Sequence, residues 1–143
     1  MITAYIDGGA RGNPGPAGYG VCIEDEAGEI LAELHGALGI ATNNVAEYNG
    51  LLAALQWAAD HAERDVLVRA DSELLVKQMR GEYRVRHPGL QPLYGRARLL
   101  VTELGRVRFE HVRRAQNKEA DRLSNLGMDE AEQMVKGARP EGA

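Results

Sequence analysis

Between residues 2 and 36 the sequence has room for three β-strands and for no helix. Ile2, Ala4 and Ile6 alternate with more polar neighbours, a period of two that buries one face of a strand over residues 2–7. Two further runs, about 18–24 and about 29–36, have the same apolar character and are joined by the turn "EDEAG". Links this short suit antiparallel neighbours, because parallel strands need a crossover of about a dozen residues or more. The chain therefore opens on an antiparallel meander.

Beyond these strands the hydrophobic period changes. In "TNNVAEYNGLLAALQWAADHA" the residues Tyr48, Leu51, Leu52, Leu55 and Ala59 recur at helical spacing, and Asn44 three before Glu47 resembles a capping box. Residues 65–71, "DVLVRAD", read as a fourth strand, after which Ser72 caps a short helix through about Met79. Strand, helix, strand implies a parallel neighbour reached by a crossover. "GEYRVRHPGLQP", residues 81–92, is a connecting loop broken by Pro88, Gly89 and Pro92. A second long helix turns Leu93, Ala97, Leu100 and Leu104 inward, and residues 106–112 form a fifth strand. Asn117 caps a final helix holding Ala120, Leu123 and Leu126, and "GARPEGA" is a frayed end. The expected fold class is α/β: a mixed five-stranded sheet, three antiparallel strands then two parallel, flanked by helices.

At 143 residues the chain is one domain that buries roughly 68–70% of its unfolded surface, so it needs no covalent staple. Its single cysteine, Cys22, lies between Val21 and Ile23 in a strand; a disulfide framework and a thiolate metal site are excluded. No apolar run approaches the about 20 residues that cross a bilayer, and a soluble, cytoplasmic monomer is expected. The net charge of −4 is unevenly spread. Residues 1–76 hold three Arg against twelve acids, and residues 77–114 hold ten Lys or Arg against three. A basic surface thus stands beside an acidic one, as polyanion binding requires, although a solvated pair of helices with outward Arg has the same composition.

Two strands end alike: Asp7 closes the first and Asp71 closes the fourth, just before a helix. In an open α/β sheet ligands collect beyond the carboxyl ends of parallel strands. If strands one and four are parallel neighbours, these carboxylates lie side by side and repel, and a divalent cation with oxygen preference, such as Mg²⁺, relieves the repulsion. Taken singly each has another use: Asp71 as a helix N-terminal acid, Asp7 as the start of an Asx turn in its Gly-rich loop. Glu47 either closes the capping box or reaches the same metal. Asp121, four residues after Asn117, either complements the helix dipole, as Glu119 would, or joins the site.

Four blocks then carry a resemblance. "YIDGGARGNPGPAGYG", "ATNNVAEYNGLLAAL", "VRADSELLVKQM" and "RRAQNKEADRLSN" resemble, in order and with compatible spacing over about residues 2–128, the motif blocks of type 1 ribonuclease H. The resemblance implies a ribonuclease H-like fold, with a catalytic domain over 1–130 and the helix end and a disordered tail over 131–143. It implies endonucleolytic hydrolysis of the RNA strand of an RNA/DNA hybrid, leaving 5′-phosphate and 3′-hydroxyl ends. The family's acidic ligands fall on Asp7, Glu47, Asp71 and Asp121, which would hold two Mg²⁺ ions, with Mn²⁺ a possible substitute. Recognition of RNA 2′-hydroxyls across the minor groove would fall on Asn13, Asn43, Asn44 and Glu73, helped by the backbone from Gly8 to Gly12.

Two departures stand out. The extra helix and basic loop that members of the family carry after the short helix have no room in "GEYRVRHPGLQP". The grip on the hybrid then passes to Arg84, Arg86, Arg96 and Arg98. The family's mobile His after strand five is also missing, since the loop reads "VRRAQNKEAD". Arg114 is the foremost replacement and Arg113 the second; His111 is set aside because it belongs to the strand. An Arg stabilises negative charge but is a poor proton carrier near neutral pH.

Overall fold

The structure, a computed structural model, describes residues 1–137; most of the stretch expected to fray, and with it the end of the expected tail, lies outside the described residues. Strands β1 (Ile2–Ala10), β2 (Gly15–Glu24), β3 (Ile30–Ala41), β4 (Asp65–Ala70) and β5 (Arg106–His111) form one sheet in the order β3-β2-β1-β4-β5. The pairs β1–β2 and β2–β3 are antiparallel, and β1–β4 and β4–β5 are parallel. Helices α1 (Asn43–Asp60), α2 (Glu73–Met79), α3 (Gln91–Leu104) and α4 (Lys118–Gly137) complete the chain, with a 3₁₀ turn at Arg114–Gln116 before α4. Among the described residues no helix is long and apolar enough to cross a membrane.

The two faces of the sheet are covered differently. Ile2, Ala4 and Ile6 of β1, Val66 and Val68 of β4 and Val21 and Ile23 of β2 share a buried cluster with Leu51 and Leu55 of α1 and Val76 and Met79 of α2. Alternation sends Tyr5 and Asp7 to the opposite face, where α4 lies. Inside the first layer one polar pair ties two helices: the buried Tyr48 hydroxyl donates to Gln78 Oε1 at 2.6 Å, joining α1 to α2.

Three local expectations are corrected. β1 does not end at Asp7 but continues through Ala10, because Gly8, Gly9 and Ala10 still pair with Tyr19, Gly18 and Ala17 of β2. A glycine pair reads as a break locally, but here the neighbouring strand supplies the hydrogen bonds that keep it extended. The capping box from Asn44 to Glu47 is not formed. Thr42 caps α1 instead, its hydroxyl accepting from the Val45 N–H at 3.2 Å, which leaves Glu47 unengaged by the cap. Nor does the Asn117 side chain cap α4; it turns into the sheet, where its amide donates to the Ile6 carbonyl at 2.8 Å. Ser72, by contrast, caps α2 as expected.

Candidate active site

The parallel register between β1 and β4 runs from Ile2 opposite Val66 to Ile6 opposite Ala70. One step further along both strands stand Asp7 and Asp71, so the two carboxylates occupy the next rung. There β4 leaves the sheet through Ser72 into α2, whereas β1 continues beside β2. The gap opened by this divergence is the floor of the site.

Glu47 and Asp121 arrive from the two helical layers. A Cβ on Gly8 would collide with the backbone of Ala46 and Glu47, so only glycine lets the first turns of α1 lie directly against β1 beside Asp7. On the other face a Cβ on Gly20 would collide with the Ala120 carbonyl, the Ser124 backbone nitrogen and the Leu123 side chain. Gly20 is the partner of Asp7 across β1–β2; α4 therefore rests on the same rung and brings Asp121 and Ser124 to it.

The outcome is one open, polar cleft of about 460 Å³ lined by Asp7, Glu47, Asp71 and Asp121, with Asn43, Asn44 and Arg114 among the surrounding residues. Burial pushes the Asp7 carboxyl up to about 7; the charge of Asp71 and, less, that of Asp121 act the same way, against the lowering effect of hydrogen bonds from Ser124 and the Gly8 backbone. Burial likewise raises Glu47 to about 7, with Asp71 adding to the rise and Ser72 opposing it. The nearest cation is weakly engaged: Arg114 Nε lies 3.8 Å from Asp71 Oδ2, and its side chain is 87% exposed. His111, at the end of β5, has its Nε2 3.3 Å from the Asp71 backbone carbonyl oxygen.

A divalent cation fits this donor set. All four acidic side chains offer hard oxygens, and two of them are held above their usual range by burial and by neighbouring negative charge. Among the described residues no three His, Cys, Asp or Glu side chains already stand around one ion position.

The remaining predicted residues divide into two groups. Asn43 and Asn44 line the cleft, and Asn13 supports it from behind: its Oδ1 accepts from the Asn43 N–H at 3.0 Å, while Asn43 Oδ1 accepts from the Ala10 N–H at 2.8 Å. Gly8 lines the cleft, and Gly12 takes a φ of +85° in the β1–β2 turn. Glu73, Arg84 and Arg86 are not brought into the cleft. Glu73 faces solvent and pairs with Lys77 at 2.9 Å, one turn along α2, and Ser72 takes the lining position in its place. Arg84 and Arg86 are exposed on the loop before α3, which the buried Val85 and Leu90 pin to the core. Of the other arginines, Arg96 is exposed and Arg98 donates to the Met79 carbonyl at 3.0 Å.

Sequence reasoning passed over Ser72, Ser124, Asn125 and Met128 as site residues, yet all four line the cleft. For Ser124 and Asn125 the available signal was their position three and four residues after Asp121, on one helical face.

Known proteins resemble this chain in sequence and in fold. The family described as reverse transcriptase-like matches residues 5–127. The chain is 48% identical over 133 residues to a bifunctional protein of Mycobacterium tuberculosis, covering 92% of this chain and 36% of that protein. It thus spans about a third of the length of that longer relative. With the ribonuclease H of Halorhodospira halophila it shares 36% identity over 144 residues, covering 91% of this chain and 94% of that one. A solved structure of LC11-RNase H1 in complex with an RNA/DNA hybrid superposes with a TM-score of 0.87 at 43% identity, covering 92% of this chain and 99% of the other. Sequence along nearly the whole chain and fold thus agree, and the chain belongs to the ribonuclease H family.

Proposed function

We propose that this chain hydrolyses the RNA strand of RNA/DNA hybrids, using Mg²⁺ held by Asp7, Glu47, Asp71 and Asp121. The observation that carries the reading is the convergence of these four carboxylates, from β1, α1, the end of β4 and α4, on one cleft. When bound, two divalent cations would supply an activated water and neutralise charge on the leaving 3′-oxygen, which yields 5′-phosphate and 3′-hydroxyl ends. All four ligands come from one chain, so a monomer suffices.

The protein's own groups orient the substrate. Asn43 and Asn44 at the start of α1 face the cleft and offer amide groups to RNA 2′-hydroxyls, the feature that separates RNA from DNA. Asn13 holds the Asn43 backbone and so supports the placement of Asn43. Arg114 at the rim stabilises phosphate charge. The exposed arginines of residues 77–114, Arg84, Arg86 and Arg96 among them, meet the phosphates of the hybrid.

The test is a substrate panel. In Mg²⁺, end-labelled hybrid, duplex DNA, duplex RNA and each single strand are incubated with the protein, and products are sized. Cleavage of the RNA strand in the hybrid, with the other substrates left intact, is expected. Hybrid binding without cleavage in either Mg²⁺ or Mn²⁺ would overturn the catalytic reading.

A further inference from the structure

We infer that Ser124 is a positioning residue that aims the Asp7 carboxylate at the bound cation. This rests on the metal-dependent reading above and extends it to a residue outside the four acidic ligands. Ser124 is 1% exposed and sits on α4 three residues after Asp121. Its Oγ lies 3.0 Å from Asp7 Oδ2 and 2.9 Å from the Asp121 carbonyl oxygen.

A serine hydroxyl has one proton to donate. Within a helix it ordinarily goes to a carbonyl about one turn back. Here an ionised carboxylate competes, and a charged acceptor makes the stronger hydrogen bond. Whenever Asp7 is charged, the proton therefore points to Oδ2. That hydrogen bond takes up one lone pair of Oδ2 and restrains the rotation of the carboxylate, so that Asp7 would meet a cation in one orientation.

The donor cannot drift. α4 rides on Gly20 of β2 with backbone against backbone at Ala120 and Ser124, and Gly20 is the strand partner of Asp7. Serine and aspartate are thus referred to the same rung of the sheet. A serine that merely filled space would be replaceable by alanine, the better helix former, with no effect on the metal. A partner that orients a metal ligand behaves otherwise: its removal typically weakens metal affinity or activity by about 10–100-fold.

The experiment compares the full chain with its Ser124→Ala and Ser124→Cys variants. Alanine removes only the hydroxyl, and cysteine retains a somewhat larger side chain in its place while offering only a weak donor, so the pair separates loss of the hydrogen bond from loss of packing. Three quantities are read: thermal unfolding in chelator, Mg²⁺ and Mn²⁺ binding by calorimetry without nucleic acid, and hybrid cleavage over a Mg²⁺ titration. Expected are unfolding midpoints close to that of the unsubstituted chain, metal dissociation constants raised by roughly 10–100-fold, and cleavage recovered when Mg²⁺ is raised by the same factor. Metal affinity and Mg²⁺ midpoint equal to those of the unsubstituted chain, in both variants, would overturn the inference. An unsubstituted chain that neither binds Mg²⁺ nor cleaves hybrid would overturn the metal-dependent reading and this inference together.

Discussion

Asp7 and Glu47 bear most of the electrostatic strain of the cleft, and its sign gives a direct prediction. Burial, with neighbouring negative charge, pushes their carboxyls up to about 7 in the folded protein, from ordinary values of 3.8 and 4.5. The folded state therefore holds more protons than the unfolded chain between about pH 4 and 7, and stability of the metal-free protein should be greatest at the acid end of that window and fall as pH rises through it. Saturating Mg²⁺ should flatten the decline, because a cation favours the ionised forms. Chemical denaturation at several pH values, in chelator and in Mg²⁺, measures both. By the same logic Asp7→Asn should unfold at a higher temperature than the unsubstituted chain in chelator at pH 8, while its hybrid cleavage falls by about 10³-fold, the several kcal/mol that metal ions contribute. Among single residues, Asp7 and Asp71 were legible in the sequence because at each an apolar alternation gives way to an acid, although β1 itself runs on to Ala10. Ser124 and the inward turn of Asn117 were not, since a polar residue near a helix start reads locally as a cap or a solvent contact. Only the packing of α4 on the sheet turns Ser124 toward the Asp7 carboxylate and the Asn117 amide toward the Ile6 carbonyl.

Among the elements, the start of α1 sets Glu47 and both cleft asparagines. Thr42→Ala removes the hydroxyl that accepts from Val45 and should destabilise the protein by about 1 kcal/mol. Asn44→Ala, at the position that sequence alone favours as the cap, should leave stability within about 0.5 kcal/mol while weakening hybrid binding. Equilibrium denaturation of the two variants decides which residue caps the helix. Gly8→Ala forces a methyl group into the Ala46–Glu47 backbone; a loss of about 1–3 kcal/mol is expected, together with weaker Mg²⁺ binding as α1 moves from β1. The central stretch of each element, and the order antiparallel meander then parallel crossover, could be read from periodicity and connection length. The ends could not. β3 runs on to Ala41 and β1 to Ala10 because cross-strand pairing overrides the local preference of Gly8, Gly9, Gly36 and Gly39. Pairing partners lie beyond any local window.

Over the full chain, the separation of charge gives a cleft of carboxylates at one side and exposed arginines on the segment through α2, its following loop and α3. Hybrid affinity in Ca²⁺ should therefore fall steeply with salt, with a logarithmic slope that drops by about one for each phosphate-contacting arginine removed. Arg84→Ala and Arg86→Ala, assayed by filter binding over a salt series, report whether the loop before α3 takes part. An unchanged slope in the double variant would remove that loop from the interface. Whether the four converging carboxylates act together through a cation is decided by the Mg²⁺ dependence of hybrid RNA cleavage, measured for the unsubstituted chain and for Asp71→Asn. Cleavage should rise from nothing in chelator to saturation in Mg²⁺, and the variant should recover at no Mg²⁺ concentration. Cleavage that persists in chelator, or that survives Asp71→Asn at an unchanged rate, would show that the carboxylates do not work through a metal.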